Sequence, residues 1–252
     1  MQELKRKLIK IIRWIEDLIY PPRCPICDGI VGMDEHLIHE KCKSKIFGTG
    51  KTVCAHCGKP INSYSKEFCY DCTQKKIKQN NRKTFIQGKS LFQYKGEIKE
   101  SMYRFKYSNR REYAYFYAEE AVEKYLDWLV IRKIDAIVPV PMYKRKEIKR
   151  GYNQAYSFAK ELSNLTGIPV IKNAVIRTRD TKPLKLLSEE ERRKSLQGAF
   201  QVMKNIVQYD HILLVDDIYT TGSTADTISQ ELVRNGVKEV YLMSICIGRD
   251  KN

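Results

Sequence analysis

The chain has 252 residues, 42% of them apolar and 30% charged, a globular balance that excludes a wholly disordered protein and allows one large domain or two modest ones. No stretch approaches the ~18 apolar residues of a membrane helix. Lys and Arg number 46 against 30 Asp and Glu, a net charge of +16 that attracts polyanions such as nucleic acid, phosphorylated small molecules or an anionic bilayer. The plain alternative is a solvated basic surface with no partner.

Residues 1–20 read as an amphipathic helix. Leu4, Leu8, Ile11, Ile12, Ile15, Leu18 and Ile19 share one broad face, and Lys5, Lys7, Lys10 and Arg13 lie opposite. Arg13, Glu16 and Asp17 break its apolar core, so it does not read as a secretory signal, and a cytoplasmic protein is expected. Docking on protein is the preferred role of this helix, and peripheral contact with an anionic membrane is the lesser one.

Residues 21–83 carry seven of the eight cysteines. Without an oxidising compartment, their C-x-x-C pairs point to metal rather than disulfides. Cys24, Cys27 and Cys42 shifted by 30 positions fall on Cys54, Cys57 and Cys72, and the position falling on Cys69 is His39. The sequence thus writes one four-ligand unit twice, enough for two closed tetrahedral zinc sites with structural roles. His36 is the runner-up ligand, and His56, inside a C-x-x-C, is expected to point outward. Neighbouring pairs sharing an ion and alternate pairs sharing one are both compatible with the spacing. Units this short need the metal to fold.

Residues 73–84 read as a polar, basic linker, so the chain divides into the helix 1–20, the metal units 21–83 and a domain 84–252. In the last, apolar runs at 85–94, 136–140, 211–217 and 240–247 alternate with helical periods near 97–107, 111–131, 152–165 and 224–235. Such alternation predicts an α/β fold with a largely parallel sheet covered by helices. Cys246, in the last apolar run, reads as a buried small hydrophobe.

The segment HILLVDDIYTTGSTADTISQELVRNG runs strand, turn, helix. Asp216 and Asp217 close the strand. Thr220, Thr221, Gly222, Ser223 and Thr224 then supply hydroxyls and a close backbone approach, at the positive N-terminus of the next helix. A phosphate beside two carboxylates suits a ribose phosphate, with the acids on vicinal hydroxyls or on magnesium. No Lys follows the glycine as in a Walker loop, and no G-x-G-x-x-G is present. Lys144, Arg145, Lys146, Lys149 and Arg150 follow the Pro-Val-Pro at 139–141; two or three read as a solvated helix face, and Arg150 is the one expected to reach phosphate.

DDIYTTGST after an apolar strand resembles the phosphoribosyl pyrophosphate (PRPP) signature of type I phosphoribosyltransferases. With PPRCPICDG at 21–29, the ligand pairs, FKY at 105–107, VPVPMYKRKEIKRGYNQA at 138–155 and RTRDTKP at 177–183, nearly the whole chain resembles the ComF (ComFC) competence-protein family. That resemblance implies a type I phosphoribosyltransferase-like parallel sheet flanked by helices, preceded by a small double zinc ribbon. It implies Asp216 and Asp217 on the ribose, Thr220 to Thr224 around the 5′-phosphate and Val140, Pro141 and Met142 near the pyrophosphate. It also implies a hood over the ligand from Arg177 to Arg193. The implied activity is PRPP binding, with magnesium, in a DNA-uptake factor whose partners are single-stranded DNA and competence-machinery proteins. The loop carries Thr220 where purine-salvage enzymes of this fold carry an acid, so it encodes no base, and His211 lies at the strand's far end. An active phosphoribosyltransferase of unknown acceptor and a PRPP-responsive regulator are the alternatives.

Tyr103, Arg104, Phe105, Lys106 and Tyr107, with Arg110, Arg111, Tyr113, Tyr115, Phe116 and Tyr117, interleave rings and cations as single-strand binders do. Helices with rings inward and charges outward explain the same pattern equally well. Lys41, Lys43, Lys45, Lys51 and Lys59 add expected surface charge.

Overall fold

Four apolar runs become one parallel sheet. In the computed structural model, β1 (Gly88–Gln93), β2 (Ala136–Pro139), β5 (His211–Tyr219) and β6 (Glu239–Ile247) lie in the order β1-β6-β5-β2. All three pairings are parallel. The residues described are 21–32, 37–79, 84–180, 191 and 195–248. The helix expected at 1–20, His36 and most of the expected hood lie outside them, as do residues 80–83, where the expected boundary falls.

The central strands β5 and β6 and the short β2 are largely apolar because both sheet faces are covered. Leu213 and Val215 face one cluster, with Phe158 and Leu162, while Ile212 and Leu214 face the other, with Ile228 and Leu232. Cys246 is fully buried in the first cluster, as expected. Helices α3 (Gly96–Tyr107), α4 (Tyr113–Ile131), α6 (Gln154–Thr166) and α7 (Ser223–Arg234) match the four helical periods. In α3, Ile98, Met102 and Phe105 supply the buried stripe at helical spacing. Asn153 starts α6 by accepting the Ala155 N–H at 3.0 Å, and Gly167, at φ 75°, ends it.

Among the described residues, helix α5 (Lys144–Arg150), which buries no residue, and the antiparallel strands β3 (Val175–Arg177) and β4 (Phe200–Val202) escape the periodicity because each is too short to show a period. The stretch 73–84 read as a linker is in part helical, because the helix that carries Cys72 runs on to Gln79.

The metal units pack directly on the sheet and helices, and both hydrophobic clusters include zinc-site cysteines. Short helices α1 (Glu40–Lys43) and α2 (Tyr70–Gln79) each carry the last cysteine of a unit. The first unit is held by Arg104, which donates to the Pro25 and Ile26 carbonyls at 3.0 and 2.8 Å. Arg110 pairs with Asp28 at 2.9 Å, and Tyr113 donates to the same carboxylate at 2.7 Å. Between the units, Phe47 and Gly48 hydrogen-bond Gln93 along β1, which covers the sheet's open edge.

The second unit meets the start of β1 backbone to backbone. The Gly88 N–H donates to the His56 carbonyl at 2.6 Å, and Gly58 sits at φ 76°. A Cβ on Gly58 would stand 2.8 Å from the Gly88 oxygen. Gly58→Ala therefore combines backbone strain with a clash that no rotamer relieves. It is expected to cost about 2–3 kcal/mol and lower Tm by about 5–10 °C in calorimetry.

Candidate functional site

The paired cysteines of each unit converge. Ligand atoms of Cys24, Cys27, His39 and Cys42 lie within 4.8 Å of one another, and so do those of Cys54, Cys57, Cys69 and Cys72. Neighbouring pairs thus share a site, and the alternating arrangement is ruled out. The Cys57 and Cys69 sulfurs stand 3.6 Å apart, close to the edge of about 3.8 Å that a tetrahedron with Zn–S near 2.3 Å requires. His39 turns Nδ1 toward Cys27, 3.2 Å away, and holds Nε2 2.9 Å from the Ile30 carbonyl. A ring anchored through its outer nitrogen is the arrangement metal-ligating histidines adopt. Three thiolates with one imidazole, and four thiolates, are donor sets that zinc accepts in closed structural sites.

His56 does not point outward. It stacks on Phe85 with centroids 4.4 Å apart, keeps Nε2 3.0 Å from the Phe85 carbonyl and places Nδ1 3.5 Å from the Cys72 sulfur. The reason is the docking of the second unit on the sheet, which turns this loop inward.

The second candidate site follows from topology. After β5 the chain crosses through α7 to β6 on one side. After β2 it crosses through α6 to Val170, which pairs with β2's opposite edge. The connections part between β2 and β5, and such a switch point opens a crevice at the strands' carboxyl ends. A cavity of about 680 Å³ lies there, within the range of small-molecule sites.

Asp216, Asp217, Thr220, Thr221, Gly222, Ser223, Thr224, Val140, Pro141 and Met142 all line it. Gly222 adopts φ 79° at the N-cap of α7, and the Thr221 and Ser223 hydroxyls stand 3.1 Å apart. Across the crevice, Asn153 donates to the Val140 carbonyl at 3.0 Å and so fixes the loop after β2 to the start of α6. Arg150 does not line the cavity. It stacks 5.0 Å over the ring of Tyr107, which does, and donates to Gln154 at 2.9 Å. Of the other basic residues after β2, Lys144, Arg145, Lys146 and Lys149 are exposed, and Lys146 pairs with Asp180 at 2.5 Å.

The two acids differ sharply. Lys106 reaches Asp217 at 2.7 Å, with the side chains only 16% and 20% exposed. Burial alone would push Asp217 up, but the Lys106 ammonium outweighs it and holds the carboxyl below its ordinary value. Burial and the neighbouring Asp217 charge push Asp216 well up, although it accepts the Asp217 N–H at 2.8 Å. The site thus keeps one firmly ionised carboxylate beside one poised to lose its charge.

A double zinc ribbon domain family matches residues 15–73. Competence protein F of Haemophilus influenzae is 30% identical over 234 residues, 88% of this chain and 96% of that protein. The chain belongs to the ComF family of competence proteins. DNA utilization protein YhgH of Escherichia coli is 31% identical over 91% of this chain and 98% of its own length. Competence protein ComFC of Bacillus subtilis is 25% identical over 84% and 89%. The family likeness therefore runs from the ribbons through the sheet that carries the cavity.

Sequence reasoning missed how Lys106, Lys59 and Asn153 serve the site. Lys106 was visible in the FKY segment at 105–107 and in an aromatic-basic run that the fold takes apart, but neither gave it a partner. Phe105, Tyr113, Phe116 and Tyr117 are core, Arg104 and Arg110 hold the first ribbon, and Arg111 covers the ring of Tyr152. Tyr103 and Tyr107 remain exposed, their rings 5.1 Å apart at the cavity. Lys59, expected on the surface, is 2% exposed, whereas Lys41, Lys43, Lys45 and Lys51 are exposed.

Proposed function

We propose that the cavity binds PRPP with magnesium and that the protein uses it while handling single-stranded DNA in a competence system. The observation that carries this reading is the pairing, in one cavity, of the Asp216–Asp217 acids with the Thr220–Thr224 turn, facing the Val140–Met142 loop. Hydroxyls and helix N–H groups on one side suit a 5′-phosphate, the carboxylates suit the ribose diol, and backbone on the other side suits pyrophosphate. Magnesium, which keeps waters and takes one or two carboxylates together with substrate phosphates, fits Asp216 and Asp217. The DNA role draws on relatives called competence and DNA utilization proteins, on the +16 charge and on the exposed ribbon lysines.

No described helix is long and apolar enough to cross a membrane. Placement in the cytoplasm, contact of residues 1–20 with a membrane and association with competence-machinery proteins belong to this same proposal. So does the division into 1–20, 21–83 and 84–252.

The test is a calorimetric titration of PRPP with magnesium, paired with fluorescence anisotropy of a labelled single-stranded oligonucleotide. Saturable PRPP binding is expected, with DNA affinity falling about tenfold or more between 50 and 200 mM salt. Absence of PRPP binding would sink the sugar-phosphate reading, and salt-independent or absent DNA binding would sink the DNA one. Pyrophosphate release on adding a nucleobase would favour the transferase alternative.

A further inference from the structure

We infer that Lys59, supplied by the second zinc ribbon, is an anion-binding residue of the cavity and contacts a phosphate of the bound ligand; the inference rests on the sugar-phosphate reading above. Lysine is almost never fully buried unless paired, and Lys59, 2% exposed, lines the cavity together with its partner Asp71 of the same ribbon. The two form an ion pair whose side chains are 3% and 20% exposed. An ammonium carries three donors, and among the described residues Asp71 is the acceptor the structure gives it. Donors held away from bulk water call for acceptors, and an anion in the cavity provides them.

The ribbon holds Lys59 in place. Its carbonyl accepts the Cys54 N–H at 2.8 Å, and Gly58 before it abuts Gly88. The same ribbon's His56 stacks on Phe85, whose ring meets that of Tyr219 edge-on at 6.1 Å. Tyr219 directly precedes the Thr220–Thr224 turn, so the ribbon reaches the cavity beside the phosphate loop.

Charge arithmetic gives this lysine a task. The cavity wall holds three acids, Asp71, Asp216 and Asp217, against three cations, Lys59, Lys106 and Arg177. Lys106 pairs with Asp217 and Lys59 with Asp71 of its own ribbon, and the Thr220–Thr224 turn contributes no cation. A ligand carrying a phosphate and a pyrophosphate needs positive charge at the phosphates, and Lys59 brings it from outside the sheet. A zinc ribbon then completes the cavity as well as bracing the fold.

The experiment titrates PRPP with magnesium, and separately inorganic pyrophosphate, into full-length wild type, Lys59→Met and Asp71→Asn, with zinc content and Tm measured for each. Lys59→Met is expected to bind PRPP about tenfold or more weakly while keeping two zinc ions. Asp71→Asn, which breaks the same ion pair but leaves the cation, is expected to weaken binding clearly less than Lys59→Met does. Equal affinity for Lys59→Met and wild type would overturn the inference. Equal weakening by both variants would overturn it too, because it would assign Lys59 to bracing alone. If wild type binds pyrophosphate in a Lys59-dependent way but not PRPP, the anion role stands and the sugar-phosphate reading falls. Binding of neither would overturn both.

Discussion

Cys57→Ser is expected to halve the zinc content, from two ions per chain to one, and to destabilise the whole protein rather than one ribbon. Structural zinc sites contribute about 10–16 kcal/mol in isolated peptides, against a typical net stability of about 5–15 kcal/mol. Losing a buried ligand from the four-cysteine site therefore removes the ribbon's main source of folding energy. The damage spreads because these cysteines share a hydrophobic cluster with Phe85, just before β1, and with Ala136, Val138 and Tyr219 of the sheet. Phe85 would lose the stacked His56, and the start of β1 would lose its Gly88–His56 hydrogen bond. A fall in Tm of more than about 10 °C, or loss of soluble protein, is expected from calorimetry, with zinc counted by elemental analysis. Cys27→Ser is expected to be milder, since Cys27 is exposed and the Arg104 and Asp28 contacts still hold the first ribbon. Two zinc ions retained in Cys57→Ser would disprove the ligand assignment.

The two cavity acids are expected to separate stability from binding. Asp216→Asn and Asp217→Asn should each weaken PRPP binding by about 10- to 100-fold, as expected on losing a hydrogen bond to a charged group. Their effects on stability should have opposite signs. Asp217→Asn leaves Lys106 without its carboxylate and should cost about 2 kcal/mol, less than for a fully buried pair because both side chains keep some solvent contact. Asp216→Asn removes a group whose charged form burial and Asp217 disfavour, and the amide oxygen can still accept the Asp217 N–H.

The pH dependence follows from the same shift. A carboxyl raised in the folded state makes wild type progressively less stable as pH rises from the ordinary carboxylate range toward the raised value. The gain from Asp216→Asn should accordingly be absent in acid and grow toward neutral pH. A gain that is constant with pH, or a loss at neutral pH, would show that Asp216 is not the strained acid. Urea denaturation at pH 5 and pH 8 distinguishes these outcomes.

Local sequence was informative wherever a pattern repeats or a period is long enough to register. The 30-residue repeat picked out the eight residues whose donor atoms converge in two clusters, His39 by position alone, because closed tetrahedral sites demand a fixed set of donors. Long apolar runs and helical periods located the strands and the covering helices, since burial on both sheet faces leaves little choice of residue. The Asp216–Thr224 segment declared its loop because carboxylates, hydroxyls and glycine there serve one strand-to-helix turn.

What the chain alone left open depends on partners distant in sequence. Pairing of the ligands needed the ribbons' folded path, and His56 turned inward only because its ribbon docks on β1. Lys106 lies 111 positions before Asp217, and Lys59 lies well over 150 positions before the turn beside which its ribbon docks. A lysine looks like surface in any local window, whereas burial and pairing are properties of the surroundings that the fold assembles. Sequence thus determined which elements and ligands exist, and tertiary structure decided which charges face one another across the cavity, because Coulomb and desolvation energies depend on distance in space and not along the chain.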